Sequence, residues 1–230
     1  MLLLRDGDIL DAKYRIVRLI GRGGWAAVYE GVNVRIGRRV AIKVLSADAA
    51  EKPGVLDRFE REAQAATTID SEHVVHVFDF GILDDGRAYI VMELLDGKNL
   101  GQKIAAKGPI APTRAVFYTI QALAGLAHAH DAGVTHRDIK PENLVVVKKQ
   151  GREIVKIVDF GISKLRRRLH LEGNVTQTNQ VLGSPVYMSP EQCRGTRHMD
   201  HRSDLYSIGV VLFELLTAEL PHKGETFNEL

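Results

Sequence analysis

A short polar loop at residues 136–143 carries the side chains that are best suited to chemistry. Within it, Asp138 can accept or orient the proton of a hydroxyl group, and Lys140 can place a positive charge beside a moving phosphate. Asn143 in the same loop, and Asp159 after an apolar run that predicts a strand, offer oxygen atoms to hard divalent cations. A base, a cation and two such ligands together indicate transfer of a phosphoryl group from a nucleotide to a hydroxyl.

Composition and charge are those of an ordinary globular protein. The chain has 230 residues, of which 45% are hydrophobic and 26% charged, and a net charge of +2 is too small to indicate nucleic acid or a membrane surface as a partner. The single cysteine, Cys193, excludes an internal disulfide and fits a reducing compartment. The N-terminal apolar run is too short for a signal peptide, and the stretch 205–216 is too short to span a bilayer. We therefore expect a cytoplasmic protein.

A glycine-rich turn, GRGGWA, lies between two predicted strands at residues 14–20 and 28–34. Glycines in such a turn let backbone N–H groups approach phosphates without side chains in the way. On the next predicted strand, 38–44, the two-residue alternation places Ala41 and Lys43 on one face and the branched apolar residues on the other. That face therefore offers a small side chain to a flat ring and an ammonium group to phosphates.

A helix is predicted at about residues 55–69, where apolar residues recur at helical spacing. At about 100° per residue, Glu62 lies on the same face as Phe59, whereas Glu60 lies well off it. A carboxylate on an inward face needs a partner, because burying it unpaired is costly, and Lys43 is the candidate. The alternative is that Glu62 is one more charge on the exposed surface of the helix.

The rest of the chain predicts further strands and then a change to helices. Strands are expected at 71–80 and 88–94. One helix is expected at 112–132, ending at Gly133, and another at 205–216. The apolar stripe of the first helix consists of Val116, Ile120, Leu123 and Ala127. Structural roles are assigned to three histidines that lack metal-ligand spacing, namely His73, His128 and His130.

The loop HRDIKPEN at 136–143, followed by Asp-Phe-Gly at 159–161, resembles the catalytic signature of protein kinases. The glycine-rich turn resembles the kinase pattern G-x-G-x-x-G-x-V, with Ala26 in place of the third glycine. VAIK at 40–43 resembles the strand that carries the kinase lysine. Lys140 is typical of the serine/threonine-specific form. The resemblance is to bacterial eukaryotic-like serine/threonine kinases and extends from about residue 14 to about residue 221.

This resemblance implies an α+β, bilobal, protein-kinase-like fold for a single kinase domain over residues 1–230. The β-rich N-lobe would span 14–94, and the mainly helical C-lobe would span 95–230. The active site would then lie in the cleft between the two lobes.

The resemblance also implies a role for each matching residue. The catalytic residues would be Asp138, Lys140, Lys43 and Glu62, and the metal ligands would be Asn143 and Asp159. ATP would be bound by Gly21, Gly23, Ala26, Val28, Ala41, Lys43, Met92, Glu93 and Leu95. Met92 would be the gatekeeper beside the adenine, and backbone groups of Glu93 and Leu95 would bind the adenine edge. The metal would be Mg²⁺, with Mn²⁺ as a substitute.

The segment 162–188 is long, polar and without periodicity, which is typical of a kinase activation segment. By resemblance, Thr176 and Thr178 are phosphorylation sites, and Arg137 would pair with a phosphate there and order the segment. Ser184 replaces the usual threonine and keeps the hydroxyl that contacts the catalytic loop. Autophosphorylation would bring two copies together as a homodimer. The alternative is that two threonines in a polar loop have no such role.

Two further positions concern the C-terminal part of the chain. Asp204 would accept backbone hydrogen bonds from the catalytic loop or cap its own helix, and these roles are compatible. The chain stops at Leu230, whereas kinases usually continue through several helices that include an arginine partner for Glu191. We therefore expect a truncated domain with exposed apolar surface, an unpaired Glu191 and lowered stability.

Two classes of function stay open on the sequence alone. The first is an enzyme that uses ATP to phosphorylate serine and threonine hydroxyls of protein substrates. The second is a truncated, kinase-like scaffold that binds nucleotide with little turnover. A P-loop NTPase is disfavoured because the chain has no G-x-x-x-x-G-K-[ST] motif.

Overall fold

The chain forms two compact units. The computed structural model describes residues 4–160, 185–194 and 199–222, except the side chains of Glu62 and Pro185. Within these ranges, unit 1 comprises the chain up to Thr68 with Val75–Leu95, and unit 2 comprises Ile69–Val74 with the chain from Asp96 onward. No helix in the described ranges is both long enough and apolar enough to cross a bilayer. The lobe boundaries given above stay a prediction.

Unit 1 is built around an antiparallel sheet that has six strands in its described part. The strands are β1 (Ile9–Leu10), β2 (Tyr14–Arg22), β3 (Ala26–Asn33), β4 (Arg39–Leu45), β5 (Val77–Ile82) and β6 (Ala88–Glu93). Their order across the sheet is β1-β2-β3-β4-β6-β5, so the first four strands are each paired with their neighbour in sequence. The helices that accompany the sheet are α1 (Ala47–Ala50) and α2 (Val55–Thr67).

One face of this sheet is covered by an apolar core. Val40, Ile42 and Val44 of β4 point into it beside tyrosines of the neighbouring strands, and each is at most 2% exposed. Because successive residues of a strand point to opposite faces, Ala41 and Lys43 lie on the other face. The alternation predicted for this strand is therefore confirmed.

The predicted strand at 71–80 is wrong in its first half. β5 is shorter, and the preceding segment Ile69–Val74 belongs to unit 2. There the N–H of Ile157 donates to the carbonyl of His73 at 2.8 Å, and Val74 forms an isolated parallel bridge with Ile157. The segment makes its backbone hydrogen bonds within unit 2, which is why it does not extend β5.

Unit 2 combines a small sheet with helices in its described part. The antiparallel strands are, in order, β7 (Gly97–Asn99), β8 (Leu144–Lys149) and β9 (Arg152–Ile157). The helices are α3 (Leu100–Lys107), α4 (Pro112–Asp131), α5 (Pro190–Cys193) and α6 (Arg202–Thr217). Apolar residues of α4, α6 and the sheet share one core.

Helix α4 ends where the sequence predicted, because Gly133 follows it with a left-handed φ of +75°. Its buried face, however, is not the apolar stripe of the sequence, since Val116 is 46% and Ile120 60% exposed. The buried residues of α4 are Ala115, Tyr118, Thr119, Ala122, Gly125, Leu126 and Ala129. Most of these are small, and small side chains allow neighbouring backbone to approach the helix closely.

Gly125 shows how close this packing is. A methyl group at Gly125 would lie 2.9 Å from Cβ of His73 and 2.9 Å from Cδ1 of Ile157. His73 cannot easily retreat, because its Nδ1 lies 3.0 Å from the carbonyl oxygen of Val155. At this point α4 requires a residue without a side chain.

Replacing Gly125 by alanine is expected to lower the free energy of unfolding by about 1–3 kcal/mol, because the added methyl group overpacks this contact. The midpoint of urea or thermal unfolding measures the change. Gly209→Ala in α6 is the matched control, since a Cβ there meets no atom within 4 Å. That substitution should be neutral or raise stability by about 0.5–1 kcal/mol. Equal midpoints for the two variants would contradict the close packing.

Candidate functional site

Strand pairing in unit 1 brings five of the predicted nucleotide-binding residues onto one face of the sheet. Gly21 lies opposite Val28, and Val28 lies opposite Lys43. In the adjoining row, Ala41 lies opposite Met92. Directly opposed residues of antiparallel strands share a face, as do residues two apart on one strand. All five therefore share the face that points away from the apolar core described above.

The turn itself does not require a glycine at its third predicted position. Ala26 lies in β3 opposite Leu45 and has an ordinary extended conformation. The N–H of Gly23 donates to the carbonyl of Ala26 at 2.8 Å, which closes the turn. A methyl group at this position therefore costs no backbone strain.

Lys43 is buried, with 7% of its surface exposed. The helix predicted to supply its partner is present as α2, and Phe59, Ala63 and Ala66 on this helix are buried. The side chain of Glu62 lies outside the described part of the structure. The ion pair between Lys43 and Glu62 therefore stays a prediction.

The end of β6 holds the residues predicted to meet the edge of a nucleotide base. Met92 is buried, at 9% exposure, and Glu93 is half-buried. The N–H of Glu93 donates to the carbonyl of His76 at 2.9 Å. A ring bound here would therefore meet the carbonyl of Glu93 rather than its N–H. Leu95, the last residue of unit 1, is also half-buried.

In unit 2, three predicted residues of the polar loop meet around one carboxylate. Nζ of Lys140 donates to Oδ2 of Asp138 at 3.2 Å. Nδ2 of Asn143 donates to the backbone carbonyl of Asp138 at 2.7 Å and lies 3.4 Å from Oδ2. The side chain of Asp138 is 23% exposed, so a substrate can reach it. A carboxylate of this kind, beside a cation, can orient a hydroxyl near a transferred phosphate.

The loop is held by Asp204, a fully buried carboxylate in the first turn of α6. Oδ1 accepts the N–H of Arg137 at 2.7 Å, and Oδ2 accepts the N–H of His136 at 2.9 Å. The predicted backbone contacts of Asp204 are therefore confirmed. Nε2 of His130, on α4, lies 2.8 Å from Oδ2. The sequence did not predict this role of His130. The one pattern that could have indicated it is the position of His130 one helical turn after Leu126, on the buried side of α4.

His136 joins the loop to the segment at 158–160. The N–H of Asp138 donates to its Nδ1 at 3.2 Å, and its Nε2 lies 2.9 Å from the carbonyl oxygen of Val158. Because Nδ1 accepts, the ring proton is assigned to Nε2, which donates to Val158. The ring also packs edge-on against Phe160, with 4.7 Å between the ring centroids. One side chain thus holds two parts of the candidate site together.

Asn143 and Asp159, the two predicted metal ligands, belong to segments that are hydrogen-bonded to each other. The N–H of Val158 donates to the carbonyl of Asn143 at 3.0 Å, and Asp159 follows with a left-handed φ of +64°. Since the amide nitrogen of Asn143 contacts Asp138, its side-chain oxygen is the atom that can bind a cation. An amide oxygen and a carboxylate fit Mg²⁺, which usually keeps water and phosphate as its other ligands. Across the described ranges, no group of three or more His, Cys, Asp or Glu could hold a metal.

Helix α5 supports the loop from a second direction. Nε2 of Gln192 donates to the carbonyl of Arg137 at 2.9 Å. The expectation that Glu191 is unpaired is wrong, because the start of α6 brings the hydroxyl of Ser203 to its Oε1 at 2.8 Å. A hydrogen bond from its own backbone amide, and then the one from Ser203, lower the pKa of the Glu191 carboxyl.

The turn at 185–187 is attached to α6 by two hydrogen bonds. The hydroxyl of Tyr187 donates to Oε2 of Glu214 at 2.6 Å, and the hydroxyl of Ser207 donates to the carbonyl of Tyr187 at 2.7 Å. Burial raises the pKa of the Glu214 carboxyl, and the negative charge of Glu142 adds to this effect. The bond from Tyr187 acts in the opposite direction.

Three of the predicted regulatory residues, Thr176, Thr178 and Ser184, lie outside the described residues. The fourth, Arg137, has a left-handed φ of +66°. Its Nε is buried and has no hydrogen-bond partner among the residues that the structure describes. A buried guanidinium nitrogen of this kind is suited to an anionic partner.

Comparison with known proteins relates the sequence to one family. The family described as "Protein kinase domain" matches residues 14–230. The chain is 41% identical over 223 residues to the serine/threonine-protein kinase pkn2 of Myxococcus xanthus, and 41% identical over 220 residues to PrkC of Bacillus subtilis. These matches cover 97% and 96% of this chain but 26% and 33% of the relatives. The chain thus spans about a quarter to a third of their length.

Comparison with solved structures gives the same result for the fold. The kinase domain of PknI from Mycobacterium tuberculosis matches with a TM-score of 0.75 and 26% sequence identity. The match covers 97% of this chain and 81% of that domain. The fold class predicted from the sequence is therefore confirmed.

Replacing Asp204 by asparagine is expected to lower the free energy of unfolding by about 1–3 kcal/mol. An amide offers one acceptor oxygen in place of two, so one buried N–H of the loop loses its partner. Thermal unfolding measures the change. Asp200→Asn is the matched control, since Asp200 lies in the same stretch but is exposed, and it should change the midpoint little. An Asp204→Asn variant that melts with the parent would contradict the holding role.

Proposed function

The chain belongs to the protein kinase domain family, and from this membership we propose that it transfers the γ-phosphate of ATP to serine and threonine hydroxyls of proteins. Relatives named as serine/threonine-protein kinases, each about 40% identical over nearly the whole chain, support this specificity. These relatives are much longer than this chain. The activity, substrates and partners of the whole protein are therefore part of the proposal.

The observation that supports the proposal most directly is the set of contacts around Asp138. Lys140 and Asn143 both donate to this residue, and Asp138 keeps part of its side chain exposed. In the proposed reaction, Asp138 orients the substrate hydroxyl and accepts its proton as the oxygen attacks the γ-phosphorus, while the bond to the β,γ-bridging oxygen breaks and ADP leaves. Lys140 stabilises the negative charge on the transferred group.

Nucleotide binding is assigned to the face of unit 1 that points away from its core. Lys43 would pair with the α- and β-phosphates, and Glu62 would hold Lys43 in position. The turn residues Gly21, Gly23, Ala26 and Val28 would cover the phosphates. Ala41, Met92, Glu93 and Leu95 would surround the adenine. The shared face of Val28, Ala41, Lys43 and Met92 supports this assignment.

A divalent cation, Mg²⁺ or Mn²⁺, is assigned to Asn143 and Asp159. When bound, such an ion neutralises charge on the phosphates. Two contacts support this assignment. The amide nitrogen of Asn143 donates to Asp138, which leaves its side-chain oxygen for the cation, and the segment before Asp159 is hydrogen-bonded to the loop.

Regulation by autophosphorylation is proposed at Thr176 and Thr178. Arg137 would form an ion pair with the phosphate on either threonine. The buried Nε of Arg137 supports this, because a phosphate oxygen would supply an acceptor. Ser184 would contact the catalytic loop from the same segment. Transfer between two copies would require a transient homodimer. The proposal places this activity in cytoplasmic signalling, and the single cysteine of the chain is consistent with a reducing compartment.

The first experiment is mass spectrometry of the chain after incubation with ATP and Mg²⁺, beside an Asp138→Asn variant. Phosphate on Thr176 or Thr178 is expected in the parent. In the variant, the rate of incorporation should fall by a factor of about 100 or more, because an amide cannot accept the hydroxyl proton.

Asp131→Asn, at the exposed end of α4, is the control and should incorporate phosphate as the parent does. Binding of a non-hydrolysable ATP analogue is measured on all three proteins. If the folded parent binds the ATP analogue, but neither the parent nor an added protein substrate gains phosphate, the proposal is contradicted and a nucleotide-binding scaffold is favoured.

A further inference from the structure

The glycine-rich turn carries a large aromatic residue, Trp25, which is the only tryptophan of the chain. Nζ of Lys52 lies over its ring, 4.2 Å from the centroid. Both residues are half-buried, so the contact is partly shielded from water. An ammonium group in this position is attracted by the negative face of an indole, which is the strongest aromatic partner for a cation.

Both ends of this contact are held by backbone hydrogen bonds of unit 1. On the turn side, the carbonyl of Trp25 accepts the N–H of Ser46 at 2.8 Å. On the other side, the N–H of Lys52 donates to the carbonyl of Ala49 at 3.2 Å, and the carbonyl of Lys52 accepts the N–H of Val55 at 3.2 Å. Lys52 is therefore fixed between α1 and α2, and its side chain reaches the turn from a defined point.

The position of Lys52 gives the contact a consequence beyond local packing. Lys52 lies three residues before α2, the helix that carries Glu62. The turn on the other side carries the glycines that are assigned to the phosphates. A favourable contact between Trp25 and Lys52 thus joins the turn to the start of this helix, and it restricts the turn before any nucleotide arrives.

We propose that Trp25 and Lys52 are positioning residues whose cation–π contact holds the glycine-rich turn in the conformation that binds nucleotide phosphates. This inference rests on the proposed function, since it assigns the turn to ATP. The contact lowers the conformational freedom that the turn loses on binding, so its removal weakens nucleotide binding and leaves the chemical step intact.

The first test uses fluorescence of Trp25, which reports on the contact directly. Lys52→Met removes the charge and keeps a side chain of similar length, and Lys52→Arg keeps a cation. Acrylamide should quench Trp25 more strongly in Lys52→Met than in the parent, and Lys52→Arg should stay close to the parent. Lys149→Met, at an exposed lysine of unit 2, is the control. Equal quenching in Lys52→Met and the parent would overturn the proposal.

The second test separates binding from chemistry. Lys52→Met is expected to raise KM for ATP, and Kd for a non-hydrolysable ATP analogue, by about two- to fivefold, with kcat within about twofold of the parent. Lys52→Arg should restore most of the loss. A fall in kcat with unchanged KM, or equal effects of methionine and arginine, would overturn the positioning role.

A double-mutant cycle on analogue binding completes the design. Trp25→Leu and Lys52→Met should be non-additive, because each alone already removes the contact. Additive losses would show that the two side chains act separately. Quenching and analogue binding need no turnover, so these two measurements can support the inference even if phosphoryl transfer fails, and they can contradict it in an active kinase. Unfolding midpoints confirm that each variant is folded.

Discussion

The candidate catalytic loop depends on one buried carboxylate, that of Asp204. A carboxylate removed from water without partners destabilises a protein by several kcal/mol, so the donors around it are as necessary as the charge itself. Here they are two backbone N–H groups of the loop and a ring nitrogen of His130. Arg137 takes a left-handed φ, which costs about 1–3 kcal/mol. It keeps this conformation because Asp204 binds its N–H and Gln192 binds its carbonyl.

The fixed loop then positions the residues beyond it. His136 uses both ring nitrogens, one toward Asp138 and one toward Val158, so the loop and the segment before Asp159 are bound by the same ring. The carbonyl of Asn143 receives the N–H of Val158, which adds a second connection. The loop residues Asp138, Lys140 and Asn143 thus belong to one hydrogen-bonded network with the segment that leads to Asp159, which is more distant in sequence.

Unit 1 positions its residues by a different physical means, namely strand register. A slip of one residue in β4 would exchange its buried apolar residues with Ala41 and Lys43. Burial of the core therefore holds the register, and the register keeps Ala41 and Lys43 on the face to which we assign nucleotide binding. The tip of the glycine-rich turn lies outside the strand pairing and is held by backbone hydrogen bonds of Gly23 and Trp25. There the proposed role of the contact between Lys52 and Trp25 is to add a side-chain restraint.

The sequence by itself predicted which residues come together, because loop motifs with fixed spacing place Asp138, Lys140 and Asn143 within reach of one another, and period-two alternation assigns Lys43 to its face. It also determined the end of α4, through a glycine that tolerates positive φ. Only the tertiary structure decided which side of α4 is buried, since apolar residues occur on both sides and small residues allow the closest approach. The tertiary structure also decided three other features: the role of His130, the hydroxyl partner of Glu191, and the place of Ile69–Val74 in unit 2. Each depends on groups elsewhere in the sequence, and local patterns do not encode such contacts.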